Sequence, residues 1–329
     1  MPNRKLLALA LAALLLFYIG PAVKRGTEAR LAQRQDGTEP EQGTGPGFDA
    51  RTRVTLLTDG RLINCSLRDY LCGVLCAELP ADFPEEAWKA QAVAARSYAL
   101  YKLERAAPAG HLGADLCGDH TCCTAFRPPE AVLAAWGSGG ETLLRRAQRA
   151  VDATDGIVAV YEGQVIGAVW HSASADRTAS AAQVWGGEVP YLQEIESPGG
   201  RDNPAYLNRT RIPADRFAEI LRQAEPDCVL EGDPAGWLTA PVRSGGGYLV
   251  TVEVGGVPVR GGSLRTLLGL PSACMRWHIE GDELVFETEG AGHGVGMSQY
   301  GAAALARSGV RWDGILTHYY TGIKLLRKT

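Results

Sequence analysis

The chain has 329 residues, 46% of them hydrophobic and 21% charged, which is enough apolar material for one large core or two smaller ones. A formal net charge of -4 argues against general nucleic-acid binding. No long charge run or low-complexity block contradicts that.

The N-terminal stretch MPNRKLLALALAALLLFYIGPAVKRG puts Arg4 and Lys5 ahead of an apolar run from Leu6 to about Val23. That length lies between a signal-peptide core and a membrane span. Gly20-Pro21-Ala22 is a poor cleavage site and Lys24-Arg25 follow it, so residues 1–25 read as an uncleaved signal anchor rather than a removable signal. The bulk of the chain is then expected outside the cytoplasm. Residues 26–51 are polar, rich in Gly, Gln and Glu and without periodicity, as in a flexible tether. The folded part is expected over 52–329.

RVTLLTDGRLINCSL alternates as a hairpin turned at Asp59-Gly60. A long Ala-rich helix follows, with Asp82 as its cap, Pro84, Glu85 and Glu86 in its first turn, and an end near Arg105. Glu78 lies just ahead of it, between an apolar segment and a proline. ETLLRRAQRAVDATDG reads as an amphipathic helix stopped at Asp155-Gly156, and IVAVYEGQVIG as a hairpin turned at Gly163-Gln164. Two more hairpins, YLVTVEVGGVPVRG and MRWHIEGDELVFETEG, flank a short helix in SLRTLLGL. Two helices, MSQYGAAALARSG and RWDGILTHYY, close the chain. Strands and helices come in blocks rather than in strict alternation, which favours an α+β fold with antiparallel hairpins over a parallel α/β sheet.

Near the end stands GHGVGMSQYGA, in which four glycines surround His293 ahead of Gln299 and Tyr300. It is no phosphate loop, since no GK[ST] follows and no βαβ unit surrounds it. Together with YLCGVLCAELPADFPEEAWKAQAVAARSYAL and WHSASADRTASAAQVWGGEVPYLQEIESP, it resembles, in order and spacing, the signature blocks of the stage II sporulation protein D family. The resemblance covers roughly residues 52–329. It implies a peptidoglycan lytic transglycosylase acting on peptide-stripped glycan strands, anchored in the mother-cell membrane that engulfs the forespore. It also implies partnership with a sporulation amidase/endopeptidase, stage II sporulation protein P, and puts the catalytic acid of the family's A-E-[ML]-P motif on Glu78. A non-catalytic peptidoglycan-binding role, as an amidase enhancer, is the alternative.

The residues can be read for their own chemistry as well. Glycosidic cleavage needs a proton donor and stabilisation of an oxocarbenium-like centre. One carboxyl group suffices when the muramyl 6-hydroxyl attacks intramolecularly, because the same residue serves as acid and then as base. Glu78 suits that task if it packs against Leu79 and Phe83; otherwise it is only a helix cap. Arg96, in the family's AVAAR[ST]YA block, is expected to bind sugar or orient Glu78, against the ordinary reading of a solvated charge.

His171, Ser172, Ser174, Arg177 and Trp185 suit a glycan groove, in which polar donors stand beside an aromatic face. The family usually has Ser-Gly-Gly-Lys where Ser174-Ala175-Asp176-Arg177 stand. The glycines of the terminal loop are expected to let a saccharide approach closely, so that His293, Gln299 and Tyr300 reach the groove lined by Glu78. His293 is the competitor for a catalytic role, although a loop histidine is more often structural. His318 reads as a satisfied core residue.

HLGADLCGDHTCCTAF crowds His111, Cys117, His120, Cys122 and Cys123 into one loop. The family resemblance maps zinc ligands to His111, Cys117, Cys122 and Cys123, with Cys122 where a histidine is expected and His120 as its substitute. A structural Zn²⁺, with none needed for catalysis, competes with a disulfide or plain thiols. A zinc amidase is disfavoured because the donors are mostly thiolate. Cys72 and Cys76 read as small core residues.

Overall fold

The structure is a computed structural model that describes residues 47–105 and 107–329. The expected anchor, and the tether up to residue 46, lie outside the described residues. The described residues form one compact unit.

The chain enters as a helical turn, α1 (Phe48–Arg51), followed by the antiparallel hairpin β1 (Arg53–Thr58) and β2 (Arg61–Ser66). The turn falls at Asp59-Gly60, both residues with positive φ, as the sequence predicts. The tether was expected to reach residue 51, yet α1 already belongs to the fold. Its Phe48 and Asp49 amides donate to the Asp155 carboxylate, at 2.9 Å each.

Helix α2 (Leu67–Glu78) is capped by Ser66, whose Oγ accepts from the Asp69 amide at 3.1 Å. Helix α3 (Glu85–Leu103) starts from Pro84, and no side chain caps it. Asp82 is exposed and is therefore not the cap that the sequence suggested. Pro84 is itself the N-cap residue, with φ -57°, and the Glu85 and Glu86 charges that follow favour a helix N-terminus. The alanines of α3 let neighbours approach from several sides; Ala90, Ala92, Ala94 and Ala99 are all 0% exposed, and α3 is the central helix of the domain.

A short strand, β3 (Leu116–Cys117), runs parallel to β1. Helices α4 (Pro129–Trp136) and α5 (Ser138–Ala153) follow, and α5 buries Leu143, Ala147, Ala150 and Val151 along one face. Strands β4 (Ile157–Tyr161) and β5 (Gln164–Val165) then form a hairpin whose connecting residues are Glu162-Gly163, one position earlier than expected. Both residues take positive φ, which this two-residue turn requires.

Strand β6 (Trp170–His171) and helix α6 (Ala181–Trp185) precede a three-stranded antiparallel sheet in the order β11-β12-β7, built from β7 (Leu207–Pro213), β11 (Met275–Glu280) and β12 (Glu283–Glu289). Helix α7 (Ala214–Ala224) packs on it through Phe217, whose ring stacks 6.3 Å from that of Phe286. A second antiparallel sheet has the order β10-β9-β8, from β8 (Leu238–Arg243), β9 (Leu249–Val254) and β10 (Val257–Arg260), with α8 (Gly261–Leu267) after it. Strand β13 (Met297–Ser298), helices α9 (Gln299–Arg307) and α10 (Trp312–Tyr319), and β14 (Lys324–Arg327) complete the chain. β14 returns to pair antiparallel with β4.

Helices thus mix with mostly antiparallel sheets, as the block pattern predicts. Among the described residues no helix is long and apolar enough to cross a membrane.

Candidate functional site

Three distant segments meet at Glu78. It is the last residue of α2, half-buried, where Pro80 two residues on keeps the helix from continuing. β13 lies parallel to β6, with Met297 beside Trp170 and Ser298 beside His171. That pairing brings the first residue of α9, Gln299, next to the Trp170 indole. Trp170 Nε1 and Gln299 Nε2 both donate to Glu78 Oε2, at 3.0 Å each.

An indole N–H can only donate, so Oε2 must accept. When Glu78 carries a proton it therefore carries it on Oε1, which has no protein donor among the described residues. The Trp170 ring rests edge-on against Tyr98 at 5.8 Å, so the donor is itself held by α3.

Gly296 makes the β6–β13 approach possible. It has φ 73°, and a Cβ there would stand 2.2 Å from the Val169 carbonyl oxygen. Gly292, with φ 104°, would bring a Cβ within 2.7 Å of His171 Cβ. The loop glycines were expected to admit a saccharide; in the structure they admit the protein's own β6 segment.

His171 is 4% exposed. Its Nδ1 lies 3.1 Å from the Val295 carbonyl oxygen and its Nε2 lies 2.7 Å from Ser174 Oγ. A carbonyl only accepts, so the Nδ1–H donates to it and Nε2 accepts the Ser174 hydroxyl. Burial, then the neighbouring His293, pushes its pKa down to about 3. His293 is pushed down to about 4, by burial first and then by the Arg265 charge. Its Nδ1 accepts from the Val295 amide at 3.1 Å. Both imidazoles are thus neutral near pH 7, and neither offers the proton that a leaving oxygen needs. Their rings lie 5.6 Å apart, and His293 lies 5.4 Å from the ring of the half-buried Trp185.

The other expected groove residues divide. Gln299 is 5% exposed and acts on Glu78. Tyr300 is half-buried, with its ring edge-on to Phe83 at 4.9 Å, and its amide donates to the Ser172 carbonyl at 3.0 Å. Ser172 Oγ accepts from Asn203 Nδ2 at 3.0 Å. Ser174 is 0% exposed, so it serves His171 rather than a ligand. Arg177 donates to Glu194 Oε1 at 2.9 Å and also lies 3.8 Å from Glu196, an arrangement that ties loops together. His318 is satisfied, with Nε2 2.8 Å from the Glu196 carbonyl oxygen, but it lies half-buried at the surface rather than in the core.

Arg96 requires a correction. It is 0% exposed, its Nε donates to Asp49 Oδ1 at 2.8 Å and its Nη2 to Oδ2 at 2.5 Å. Nη1 reaches the Ile157 carbonyl at 3.0 Å and Nη2 the Val151 carbonyl at 3.3 Å. It neither faces a saccharide nor touches Glu78; it fastens α3 to α1, the end of α5 and the start of β4. Trp170, conversely, is a site residue that reading the sequence missed. The signal was its position, one residue before His171 in the same block.

A second cluster forms on other elements. The ligand atoms of His111, Cys117, Cys122 and Cys123 all lie within 4.8 Å of one another. His111 Nε2 is 3.2 Å from Cys122 Sγ and 3.7 Å from Cys123 Sγ. His120 is exposed and stands beside Asp119, so Cys122 is the residue in the set. Three thiols and one imidazole converging from a turn, the end of β3 and a loop fit a closed tetrahedral metal site. The cluster also connects to the clamp on Glu78, since Lys102 Nζ lies 5.8 Å from the Tyr98 ring and donates to the Cys122 carbonyl at 3.5 Å.

Comparison with known proteins shows the family to which the chain belongs. A family model described as stage II sporulation protein (SpoIID) matches residues 60–161. Stage II sporulation protein D of Bacillus subtilis is 33% identical over 263 residues, which is 80% of this chain and 75% of the relative. That of Bacillus amyloliquefaciens is 32% identical over 307 residues, covering 93% of this chain and 87% of the relative. A more distant relative is the amidase enhancer of Bacillus subtilis, 26% identical over 303 residues, which are 78% of this chain and 40% of that protein. With the sequence blocks folded onto one carboxylate and relatives matched over most of their length, the chain belongs to the stage II sporulation protein D family.

Proposed function

We propose that the protein is a lytic transglycosylase that cleaves MurNAc–GlcNAc bonds in peptidoglycan strands already stripped of their stem peptides, during engulfment. The observation that carries this reading is the Glu78 carboxyl group, with Trp170 and Gln299 both donating to Oε2 and Oε1 left to hold the transferable proton. Glu78 gives that proton to the glycosidic oxygen as the C1–O bond breaks and the bonding pair leaves with the oxygen. The muramyl 6-hydroxyl oxygen then bonds to C1 while its proton passes to the Glu78 carboxylate. The products are a free 4-hydroxyl end and a 1,6-anhydromuramyl end, water is not consumed, and the acid is regenerated. The neutral His171 and His293 shape the neighbouring wall rather than exchanging this proton.

In the same reading, His111, Cys117, Cys122 and Cys123 hold a structural Zn²⁺ that fixes the loop beside Lys102 and Tyr98. The N-terminal segment anchors the domain at the outer face of the mother-cell engulfing membrane. Stage II sporulation protein P, as the amidase/endopeptidase, supplies the stripped strands.

The test is digestion of purified peptide-free glycan strands, with 1,6-anhydromuramyl ends read by mass spectrometry. Glu78→Gln keeps fold and glycan binding but lowers the rate by ~10²-fold or more, the typical scale of general acid catalysis. Cleavage above about a tenth of the parent rate in Glu78→Gln sinks the single-acid mechanism. If the parent binds strands without cleaving them and instead stimulates an amidase, the enhancer role replaces this one.

A further inference from the structure

Pairing of Thr288 with both Asn208 and Met275 sets β7, β12 and β11 side by side at one end of their sheet. Above that end, Arg243 and Gly247 close a cavity of about 400 Å³ together with Leu207, Cys274 and Arg276. Arg209, Arg243 and Arg276 line it, against Glu287 and Glu289.

These charges do not cancel in pairs. Arg209 is ion-paired with Glu280, and Glu289 accepts the Tyr206 hydroxyl at 2.9 Å. Arg243 donates to the Gly247 carbonyl at 3.2 Å and lies over the Trp277 ring. Among the described residues neither Arg243 nor Arg276 forms an ion pair, although Glu287 stands opposite Arg276 in the β11–β12 register. Partial desolvation, offset by Cys274 and followed by the like charge of Arg276, holds Arg243 below the usual arginine range, although the residue as a whole is exposed. Arg243 and Arg276 are exposed on this rim, and two guanidiniums without carboxylate partners facing one space are neutralised together by one oxyanion.

We propose that this cavity binds a carboxylate-bearing saccharide, with Arg243 and Arg276 holding the carboxylate and the exposed Leu207 against the sugar. This rests on the reading of the protein as acting on peptide-stripped strands, because removing a stem peptide leaves a free lactyl carboxylate on each muramyl residue. The cavity shares no lining residue with the proposed cleavage site, so it is a second contact along the strand.

Titration calorimetry with N-acetylmuramic acid, N-acetylglucosamine and inorganic phosphate as probes tests the assignment on the full chain. N-Acetylmuramic acid is expected to bind at least ~10-fold more tightly than N-acetylglucosamine, which lacks the carboxylate. Arg243→Gln and Arg276→Gln should each weaken it by ~10-fold. Both arginines are exposed, so their substitution should leave the Tm unchanged, which excludes misfolding as the cause. Glu78→Gln should bind it like the parent, so loss of cleavage and loss of this site are separate results. Equal affinity for the two sugars, or indifference to both arginine substitutions, overturns the proposal. Phosphate that binds with the same arginine dependence and is not displaced by N-acetylmuramic acid also overturns it, in favour of a phosphorylated ligand.

Discussion

Replacing Arg96 by Met separates an internal tie from a sugar contact. The guanidinium and its partner Asp49 are 0% and 1% exposed, so the substitution leaves a carboxylate buried without its cation. Such one-sided breakage costs about 3–5 kcal/mol. The bonds to the Val151 and Ile157 carbonyls are lost with it, so the upper part of that range applies. For a domain of this size the Tm should fall by roughly 8–20 °C, at about 2–4 °C per kcal/mol. Calorimetry measures that fall, and strand cleavage at low temperature, normalised to folded protein, measures function. KM should stay within about twofold of the parent, since an interaction absent from the bound state changes no binding term. Adding Asp49→Asn to Arg96→Met removes the orphaned charge and should recover part of the loss. A Tm shift under about 2 °C, combined with a raised KM, would refute this reasoning and return Arg96 to the substrate.

Trp170→Phe keeps the ring against Tyr98 but deletes one donor to Glu78, and should lower kcat by ~10-fold with little change in Tm; an unchanged kcat means the indole bond is incidental. His171 and His293, with pKa values pushed down to about 3 and about 4, bind protons more readily when unfolded, at the ordinary value of 6.5. Stability should therefore be full above pH 6.5 and fall as pH drops toward 4, by about 1.4 kcal/mol per pH unit for each histidine still neutral in the fold. Urea midpoints across that range should show a shallower slope for His171→Asn. Cys117→Ser or Cys123→Ser should lower zinc content, by elemental analysis, and Tm together, with activity falling only as far as the folded fraction. Loss of cleavage in a chelated but still folded protein would make the metal catalytic instead. The protein should fractionate with membranes and retain its N-terminal peptide by mass spectrometry; a soluble product starting near residue 23–30 would mark a removable signal.

What could be read in the sequence were features whose physical cause is local. Asp59-Gly60 determines a hairpin turn because few other residues take positive φ twice in succession. Ser66-Leu67-Arg68-Asp69 carries the local capping spacing that starts α2. Glu78 stands out in the sequence only through its motif, and its two donors come from 92 and 221 residues away, a meeting that no local pattern encodes. Arg96 was misread for the same reason: its partner, Asp49, sits in a segment whose composition resembles a tether. The cluster of His111, Cys117, Cys122 and Cys123 is legible because all four side chains lie within one loop, and exposure sets His120 apart from it.

The span of the Glu78 clamp sets an order of events during biosynthesis. Glu78 and Trp170 can meet while the chain is still emerging, but Gln299 is synthesised well after both, and α10 packs against α9 only after that. Contacts of such sequence separation form late in folding. A nascent or truncated chain can therefore hold α2 and α3 in place and still lack the completed clamp, so the Glu78 carboxylate keeps only part of its donor set until Gln299 is delivered.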